Sequence, residues 1–230
     1  MKSSYYKYFA ALLLFGSNGI VASNINLPSY EIVLLRLLLG SLFLITVFTV
    51  SRQRFTFYRN KHTCLYLFIS ASAMGASWML LYEAYQQVGI SIASLAYYCG
   101  PVIVMILSPF LFRETLTWPK IAGFLTVLAG MCLVNLQALD EGKTIWGLFC
   151  GLMSAFMYAL MVTANKKAKP ESGLENSLLQ LVIGSFIVVA FVSMQKNFVL
   201  SLTTIDWIPV LLLGLLNTGT VSYTHLRAHE

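Results

Sequence analysis

Two charged side chains could do chemistry inside long apolar stretches of this sequence. Arg36 is the only basic residue well inside such a stretch, and Glu83 is an acid near the end of another. A charge at membrane depth costs about 2.5–3.5 kcal/mol on insertion scales, so it should face protein, water or a partner. At comparable predicted depths, the two could form an ion pair along a solute route. The alternative stays open that Arg36 reaches the headgroups and Glu83 is interfacial.

A second group of candidate residues is aromatic. Trp78, Tyr82 and Tyr85 recur at i, i+4 and i+7, which places them on one face of a helix. Later apolar segments add Tyr97, Tyr98 and Tyr158. Such a stripe serves either core packing or solute binding, and the spacing alone leaves both readings open.

The stretch from Tyr82 to Glu114 joins the two groups. The sequence predicts the end of one apolar helix, a five-residue bend from Gln86 to Ile90, and a second apolar helix that contains Pro101 near its middle. A proline inside a helix removes a backbone donor and bends the helix, and neighbouring helices or a cavity must satisfy the freed carbonyl. We therefore expect a bent helix beside the route, although a kink that only improves packing is the alternative.

The composition indicates a chain embedded in a membrane. Hydrophobic residues make up 58 % of the chain and charged residues 10 %, with a mean hydropathy of +0.75, whereas soluble domains carry roughly 25 % charged residues. All but the last of eight apolar segments are long enough to cross about 30 Å of hydrocarbon as helices. We predict an all-α, multi-pass helical bundle with spans at Tyr5–Ser23, Tyr30–Val50, Cys64–Tyr85, Ser91–Phe112, Trp118–Gln137, Ile145–Ala164, Leu174–Met194 and Asp206–Val221.

The basic residues are distributed unevenly between the loops. Eleven of the 15 fall at the N-terminus and in the loops at 51–63, 113–120 and 165–173, and only Lys143 and Lys196 lie in the alternate loops. Positive charge accumulates on the cytoplasmic side of membrane proteins. The N-terminus and these three loops are therefore predicted to be cytoplasmic.

The chain also contains an internal repeat. A shift of 144 residues, without a gap, aligns residues 31–48 with residues 175–192 and pairs Glu31 with Glu175, Gly40 with Gly184 and Ser41 with Ser185. The second span then corresponds to the seventh, so one unit holds five spans. Because five is odd, the second unit enters the membrane from the opposite side, which is the inverted repeat of secondary transporters.

The repeat divides the chain into a first unit at 6–137 and a partial second unit at 145–219. After Gly219 the register breaks and the sequence turns polar, so residues 220–230 are interpreted as a non-native tail rather than a native continuation. His225 and His229 in this tail are not interpreted as a metal pair. Cys64, Cys99, Cys132 and Cys150 show no metal-ligand spacing. No metal, no cofactor and no nucleic-acid partner is expected.

The chain resembles the EamA-type permeases of the drug/metabolite transporter superfamily over about residues 6–219. The resemblance rests on Arg36, the Tyr97–Pro101–Glu114 pattern, Gly123, Gly130, Gly151, Ala155 and Tyr158. It implies ten helices in two inverted five-helix repeats around a central cavity, with alternating access. Members of this family mostly move metabolites or toxic compounds outward. This sequence departs from that pattern, since about eight of the ten spans are present.

We expect a secondary transporter, not an enzyme, that moves a small organic metabolite or drug-like solute across a bacterial cytoplasmic membrane. The predicted substrate pathway comprises Arg36, Trp78, Tyr82, Glu83, Tyr97, Tyr98, Pro101 and Tyr158. The alternatives are a membrane-embedded enzyme and a non-transporting sensor or assembly subunit. An enzyme would need a nucleophile–base or metal set at membrane depth, and no histidine lies in a predicted span. Proton or sodium coupling and homodimer formation are left open; the expected partners are the solute and the lipid bilayer.

Overall fold

The computed structural model describes residues 19–22, 25, 27–113, 115, 117–135, 145–168, 172–194 and 207–215. Over these ranges the chain is helical and contains no strand. Most of the predicted first span, Glu114 and the predicted tail with His225 and His229 lie outside the described residues. The all-α character predicted from the composition is confirmed.

Eight α-helices and one short 3₁₀ turn, at Phe57–Arg59, have both ends within the described residues, and residues 19–22 and 212–215 are also helical. The helices are α1 (Ser29–Val50), α2 (Lys61–Val88), α3 (Ile90–Tyr97), α4 (Cys99–Phe112), α5 (Trp118–Asn135), α6 (Ile145–Ala168), α7 (Gly173–Ser193) and α8 (Trp207–Leu211). Among the described residues, five stretches are long and apolar enough to cross a membrane: Tyr30–Val50, Lys61–Val88, Ile90–Phe112, Ile145–Ala168 and Gly173–Ser193. These stretches match the second, third, fourth, sixth and seventh predicted spans.

The connection between α2 and α3 is shorter than predicted. The prediction of a five-residue bend from Gln86 to Ile90 is wrong, because α2 continues to Val88 and Gly89 alone turns the chain. Gly89 has φ +81°, a conformation that glycine adopts without the strain other residues incur. Its N–H donates to the carbonyl of Tyr85 at 3.1 Å, so one residue both ends α2 and starts α3.

The fourth span is interrupted close to the predicted position. The break lies at Tyr98, between α3 and α4, three residues before Pro101. Pro101 therefore falls in the first turn of α4, where a backbone N–H would have no acceptor within the helix. The missing N–H therefore costs little at this position. Because the helix is already interrupted at Tyr98, the bend there does not leave a carbonyl in the middle of a continuous helix without its donor.

The two ends of the bundle are fixed by hydrogen bonds between helix termini. At one end, Gln86 Nε2 donates to the carbonyl of Leu27 at 2.8 Å, which joins the end of α2 to the start of α1. We call this the Leu27 end. At the opposite end, Thr63 Oγ1 donates to the carbonyl of Ala168 at 3.0 Å, which joins the start of α2 to the end of α6. The loop that contains Thr56 lies there, and we call it the Thr56 end.

The three basic loops share the Thr56 end. Lys166, in the last turn of α6, places its Nζ 4.3 Å from the ring centroid of Phe112, the last residue of α4. Glu175, at the start of α7, contacts Thr56. The charge pattern predicted this common location, and the side of the membrane that the Thr56 end faces stays a prediction.

Small residues let α6 pack closely against α2 and α3. Ser77 Oγ donates to the carbonyl of Ser154 at 2.9 Å, and Ser154 Oγ donates to the carbonyl of Ser77 at 2.7 Å. A Cβ atom added at Gly151 would lie 2.8 Å from the Cβ of Ala96. In a membrane, where lipid competes equally for apolar surface, such close contacts and interhelical hydrogen bonds hold helices together.

Helices α1 and α7 run antiparallel and cross near their midpoints. Their antiparallel course follows from the contact of Thr56, beyond the end of α1, with Glu175 at the start of α7. At the crossing, the hydroxyl oxygens of Ser41 and Ser185 are 3.5 Å apart, and the two residues are 144 positions apart in the chain. The contact brings together a pair that the predicted repeat treats as equivalent. The inverted relation of the complete units stays a prediction.

We expect Gly151→Leu to destabilise the bundle, because the new side chain must displace Ala96 and separate α6 from α3. Overpacking of this kind costs about 1–3 kcal/mol. Thermal unfolding of the detergent-purified protein measures the loss. Gly123→Leu is the matched control, since no described atom lies within 4 Å of a Cβ added there. Equal melting temperatures for the two variants would contradict the close packing.

Candidate functional site

Arg36 lies in the interior of the bundle, against two side chains of α2. Only 4 % of Arg36 is exposed. Its Nη1 donates a hydrogen bond to the Tyr82 hydroxyl at 2.7 Å, and its Cζ lies 3.8 Å from the centroid of the Trp78 ring. Tyr82 is itself 2 % exposed. The guanidinium is therefore held on one face by an indole ring and at one edge by a phenol.

These two contacts are strong enough to account for the position of the charge. A hydrogen bond to a charged group contributes about 1.5–3 kcal/mol, and a desolvated cation–π contact contributes about 2 kcal/mol. Their sum is of the same order as the cost of about 2.5–3.5 kcal/mol for placing an arginine at membrane depth. An acidic partner is therefore not required to hold Arg36 inside the bundle.

Arg36 lines a small cavity that shares wall residues with a larger one. The small cavity, about 50 Å³, is lined by Arg36 and by the aromatic side chains Trp78, Tyr82, Tyr85, Tyr97 and Tyr98. The larger cavity, about 530 Å³, lies at the Leu27 end and includes Leu27, Ile32 and Gln86 in its wall. Tyr82, Tyr85 and Ile90 line both.

The two volumes differ in what they can hold. Pockets for small organic molecules measure roughly 300–1,000 Å³, so the larger cavity has the size for such a molecule. A water molecule takes about 30 Å³ of liquid, so the smaller cavity has room for one polar group of a solute. The smaller cavity adjoins the larger one at their shared wall residues, and we call it the recess; Arg36 is the charged residue among the described residues that line it.

Tyr97 and Tyr158 join the wall of this recess to α6. Their rings meet edge to face with centroids 5.4 Å apart. Behind them, a Cβ added at Gly100 would lie 2.7 Å from Cδ1 of Tyr158, so α4 approaches α6 closely at this point. Tyr158 supports the recess through Tyr97.

The structure brings five of the eight predicted pathway residues together around one cavity: Arg36, Trp78, Tyr82, Tyr97 and Tyr98. Glu83 and Pro101 are not among the residues that line the two cavities. Glu83 Oε1 accepts a hydrogen bond from Gln87 at 3.1 Å, and Pro101 is exposed. The ion pair between Arg36 and Glu83 stays a prediction.

Sequence reasoning did not select Glu175 for the site. Glu175 is 3 % exposed, and its carboxylate accepts hydrogen bonds from the Thr56 N–H at 2.6 Å, the Thr56 hydroxyl at 2.6 Å and the Phe57 N–H at 2.9 Å. The signal was present in the repeat, where Glu175 pairs with Glu31 in the first turn of the matching helix. The sequence could not indicate that the loop containing Thr56 folds over the carboxylate.

A second polar contact lies deeper in the same half of the bundle. Gln180 Nε2 donates to the hydroxyl of Ser70 at 2.8 Å, and that hydroxyl donates to the carbonyl of Met161 at 3.0 Å. Gln180 is the residue that the repeat pairs with Arg36. The two equivalent positions therefore serve opposite halves of the bundle, with a cation towards the Leu27 end and a neutral amide towards the Thr56 end.

Comparisons with known proteins agree on one class. The profile of the EamA-like transporter family matches residues 3–136. The uncharacterized transporter YxxF of Bacillus subtilis (strain 168) is 26 % identical over 222 residues, which cover 94 % of this chain and 70 % of YxxF. A known crystal structure has a similar fold, with a TM-score of 0.70 at 19 % identity, and the match covers 97 % of this chain and 78 % of that one.

We expect Tyr82→Phe to lower the stability of the folded protein by about 1–3 kcal/mol, because a buried charged donor loses an acceptor. Thermal unfolding in detergent measures the effect as a lower melting temperature. Tyr58→Phe is the matched control, since Tyr58 is 67 % exposed. A melting temperature of Tyr82→Phe equal to that of the control would show that the hydrogen bond does not hold Arg36.

Proposed function

Because this chain belongs to the EamA-like transporter family, we propose that it is a secondary transporter that moves a small organic solute across the bacterial cytoplasmic membrane. The proposed mechanism is alternating access, in which one five-helix unit rocks against the other around the recess at Arg36. Membership of the family supports transport in general. The class of the solute, the alternating-access mechanism and the identity of the membrane are our proposal.

One asymmetry carries the proposal. The cavity of about 530 Å³ and the recess of Arg36 both lie towards the Leu27 end. Towards the Thr56 end, the described side chains of the two units meet in hydrogen bonds. Among the described residues, the open space beside Arg36 lies towards the Leu27 end, and access from one side at a time is what alternating access requires.

The closure at the Thr56 end joins the two predicted units. Glu175 and Ser172 belong to the second unit, whereas Thr56, Phe57 and Gln53 belong to the loop of the first. In addition to the Glu175 contacts, the hydroxyl of Ser172 donates to Oε1 of Gln53 at 3.1 Å. Any motion that opens this end must separate these partners.

A carboxylate suits such a closure because its contacts can be exchanged for water. Each hydrogen bond to a charged group contributes about 1.5–3 kcal/mol when made inside the protein. These values are already net of the water that replaces the N–H and hydroxyl donors on opening, so the cost of opening is several kcal/mol, which is of the order that separates two populated conformations. The contact is strong enough to hold the closed state and weak enough to release it.

We expect the full chain, reconstituted into liposomes, to move at least one member of a panel of small organic metabolites. In the variant Gln53→Cys, Ser172→Cys, a short bis-maleimide should abolish that flux, because it ties the two units at the Thr56 end. Either single cysteine variant treated with the same reagent is the control and should keep its flux. Flux that continues in the cross-linked double variant would exclude alternating access, and no flux for any solute in the panel would exclude the transporter.

We expect Glu175→Gln to open the Thr56 end more often. In a background without the native cysteines, Ser70→Cys reports the opening, because Ser70 is 0 % exposed. A membrane-impermeant maleimide applied from the Thr56 side should label it about tenfold faster with Glu175→Gln, since loss of about 1.4 kcal/mol shifts an equilibrium tenfold.

Glu31→Gln is the matched control for this measurement, since Glu31 occupies the equivalent position at the Leu27 end and should leave the labelling of Ser70→Cys unchanged. Tyr58→Cys, at an exposed position of the loop, verifies that the reagent reaches the Thr56 end. Unchanged labelling of Ser70→Cys in Glu175→Gln, with Tyr58→Cys fully labelled, would show that Glu175 does not control the closure.

A further inference from the structure

We propose that the loop between α1 and α2 is a docking surface for the headgroups of anionic phospholipids, and that a docked lipid favours opening of the Thr56 end. The loop runs from Ser51 to Asn60. Together with Lys61, the first residue of α2, we call it the Arg52 loop. The docking surface is argued from the loop itself, whereas the effect on opening rests on the proposed function.

The length of α1 places the Arg52 loop at the level of the lipid headgroups. Helix α1 contains 22 residues, Ser29–Val50. At 1.5 Å per residue it is about 33 Å long, which matches a hydrocarbon core of about 30 Å. The residues that follow Val50 therefore lie where the phosphates of the lipids lie.

The loop presents cations and aromatic rings together. Arg52, Arg54 and Lys61 are exposed, and so are the rings of Phe55 and Tyr58. Basic side chains near a membrane surface strengthen the binding of anionic lipid by about fivefold each, and aromatic rings favour the level of the headgroups. This combination fits a headgroup with net negative charge better than a zwitterionic one.

Aromatic contacts hold the loop in a fixed shape before a lipid binds. The rings of Phe48 and Phe55 stack with their centroids 4.5 Å apart, and the rings of Phe55 and Phe57 meet edge to face at 6.0 Å. Because Phe48 is a buried residue of α1, the stack ties the loop to the end of that helix. The cations are thus carried by an ordered backbone, and binding does not have to provide this order.

Arg52 occupies a position where the backbone favours glycine. The described non-glycine residues with a positive φ are Arg52 at +51° and Arg113 at +56°, and both follow the end of a helix at the Thr56 end. Helices often end with a residue in this conformation, which is usually glycine because a side chain is strained there. An arginine at such a position indicates a use for its side chain, and a phosphate at the level of the loop matches its charge.

Exposed apolar stripes lead from both ends of the loop into the membrane. On α2, Leu65 and Phe68 follow Lys61 at i+4 and i+7 and are exposed, as are Leu42 and Ile45 on α1. Residues at spacings of three and four share a helix face, so acyl chains can lie along Leu65 and Phe68 while the headgroup reaches Lys61. A free phosphate ion lacks these apolar contacts, and the occupant is therefore a lipid.

The same loop contacts the carboxylate of Glu175. Thr56 and Phe57 donate to it from their N–H groups, and the Thr56 hydroxyl donates as well. An anionic headgroup docked on this loop and the Glu175 carboxylate are like charges, which repel each other. Opening of the Thr56 end separates Glu175 from the loop, so the open conformation binds anionic lipid more tightly. By linkage, anionic lipid then shifts the equilibrium towards opening.

The first test compares phosphatidylglycerol with phosphatidylcholine of the same acyl chains on the delipidated full chain in detergent. The rise in melting temperature during a lipid titration gives the affinity, and native mass spectrometry counts the bound lipids. We expect phosphatidylglycerol to bind about tenfold or more tightly, and inorganic phosphate at the same concentration to cause no shift. Equal affinities for the two lipids, or an equal shift with phosphate alone, would overturn the docking surface.

Two double variants locate the binding on the loop. Arg52→Gly, Arg54→Gln removes two cations, and glycine adopts the backbone conformation of Arg52 without strain. Its affinity for phosphatidylglycerol should fall about fivefold or more. Lys143→Gln, Lys196→Gln is the matched control, since it removes two positive charges from the alternate loops. Equal affinities of the two variants for phosphatidylglycerol would contradict the assignment; if the first does not fold, an unchanged affinity in Lys61→Gln would do so.

The second test measures opening in nanodiscs that contain or lack phosphatidylglycerol. Ser70→Cys, in a background without the native cysteines, is labelled with an uncharged, membrane-impermeant maleimide, and its rate is divided by that of Tyr58→Cys to correct for access of the reagent. We expect phosphatidylglycerol to accelerate labelling about fivefold or more, and Arg52→Gly, Arg54→Gln to remove the acceleration. Lipid that binds without accelerating the labelling would overturn the effect on opening.

Flux in liposomes distinguishes a failure of this inference from a failure of the proposed function. If phosphatidylglycerol binds to the loop and accelerates labelling but no solute in the panel is moved, the lipid surface stands and the transporter is overturned. If a solute is moved but labelling is the same in both kinds of nanodisc, the transporter stands and the effect of the lipid on opening is overturned.

Discussion

The contact of a buried guanidinium with one indole ring and one phenol determines how the rest of this bundle is arranged. Arg36 is placed by α1, and the side chains that receive it are placed by α2, so the two helices must keep their relative height for the charge to be held. A shift of one turn would move the charge away from both partners, at a cost comparable to inserting an arginine into lipid. The contact therefore fixes the register of the first two described spans.

The same constraint explains why polar contacts in this protein gather at a few points. In an apolar solvent a polar side chain must find its partner within the protein. Ser77 and Ser154 satisfy each other between α2 and α6, and Ser41 meets Ser185 where α1 crosses α7. Between these points the helices pack through small and apolar residues. The serine contacts thus mark where the helices approach each other, and small residues permit that approach.

Five of the residues that the sequence indicated line one cavity, and there are physical reasons why the structure differs at other positions. Arg36 was identifiable because a charge inside an apolar span is costly, and Trp78 and Tyr82 because they share a helix face at a spacing of four. Glu83 was selected for its charge, but it is not among the residues that line the two cavities. Glu175 was overlooked because an acid in the first turn of a helix is ordinary, and its role depends on a loop that lies 119 residues earlier in the chain.

The sequence by itself determined that this protein lies in a membrane, how many described spans it has and approximately where they end. It also determined the common location of the basic loops. These properties depend on length, hydropathy and charge along the chain. Only the tertiary structure decided which side chains share a cavity and which loop meets the start of α7 at the Thr56 end. Those properties depend on distances between helices, and periodicity specifies the face of a helix but not its neighbour. The antiparallel crossing of α1 and α7 brings Glu175 to the loop of Thr56, and the close packing of α6 against α2 and α4 sets the wall of the recess at Arg36.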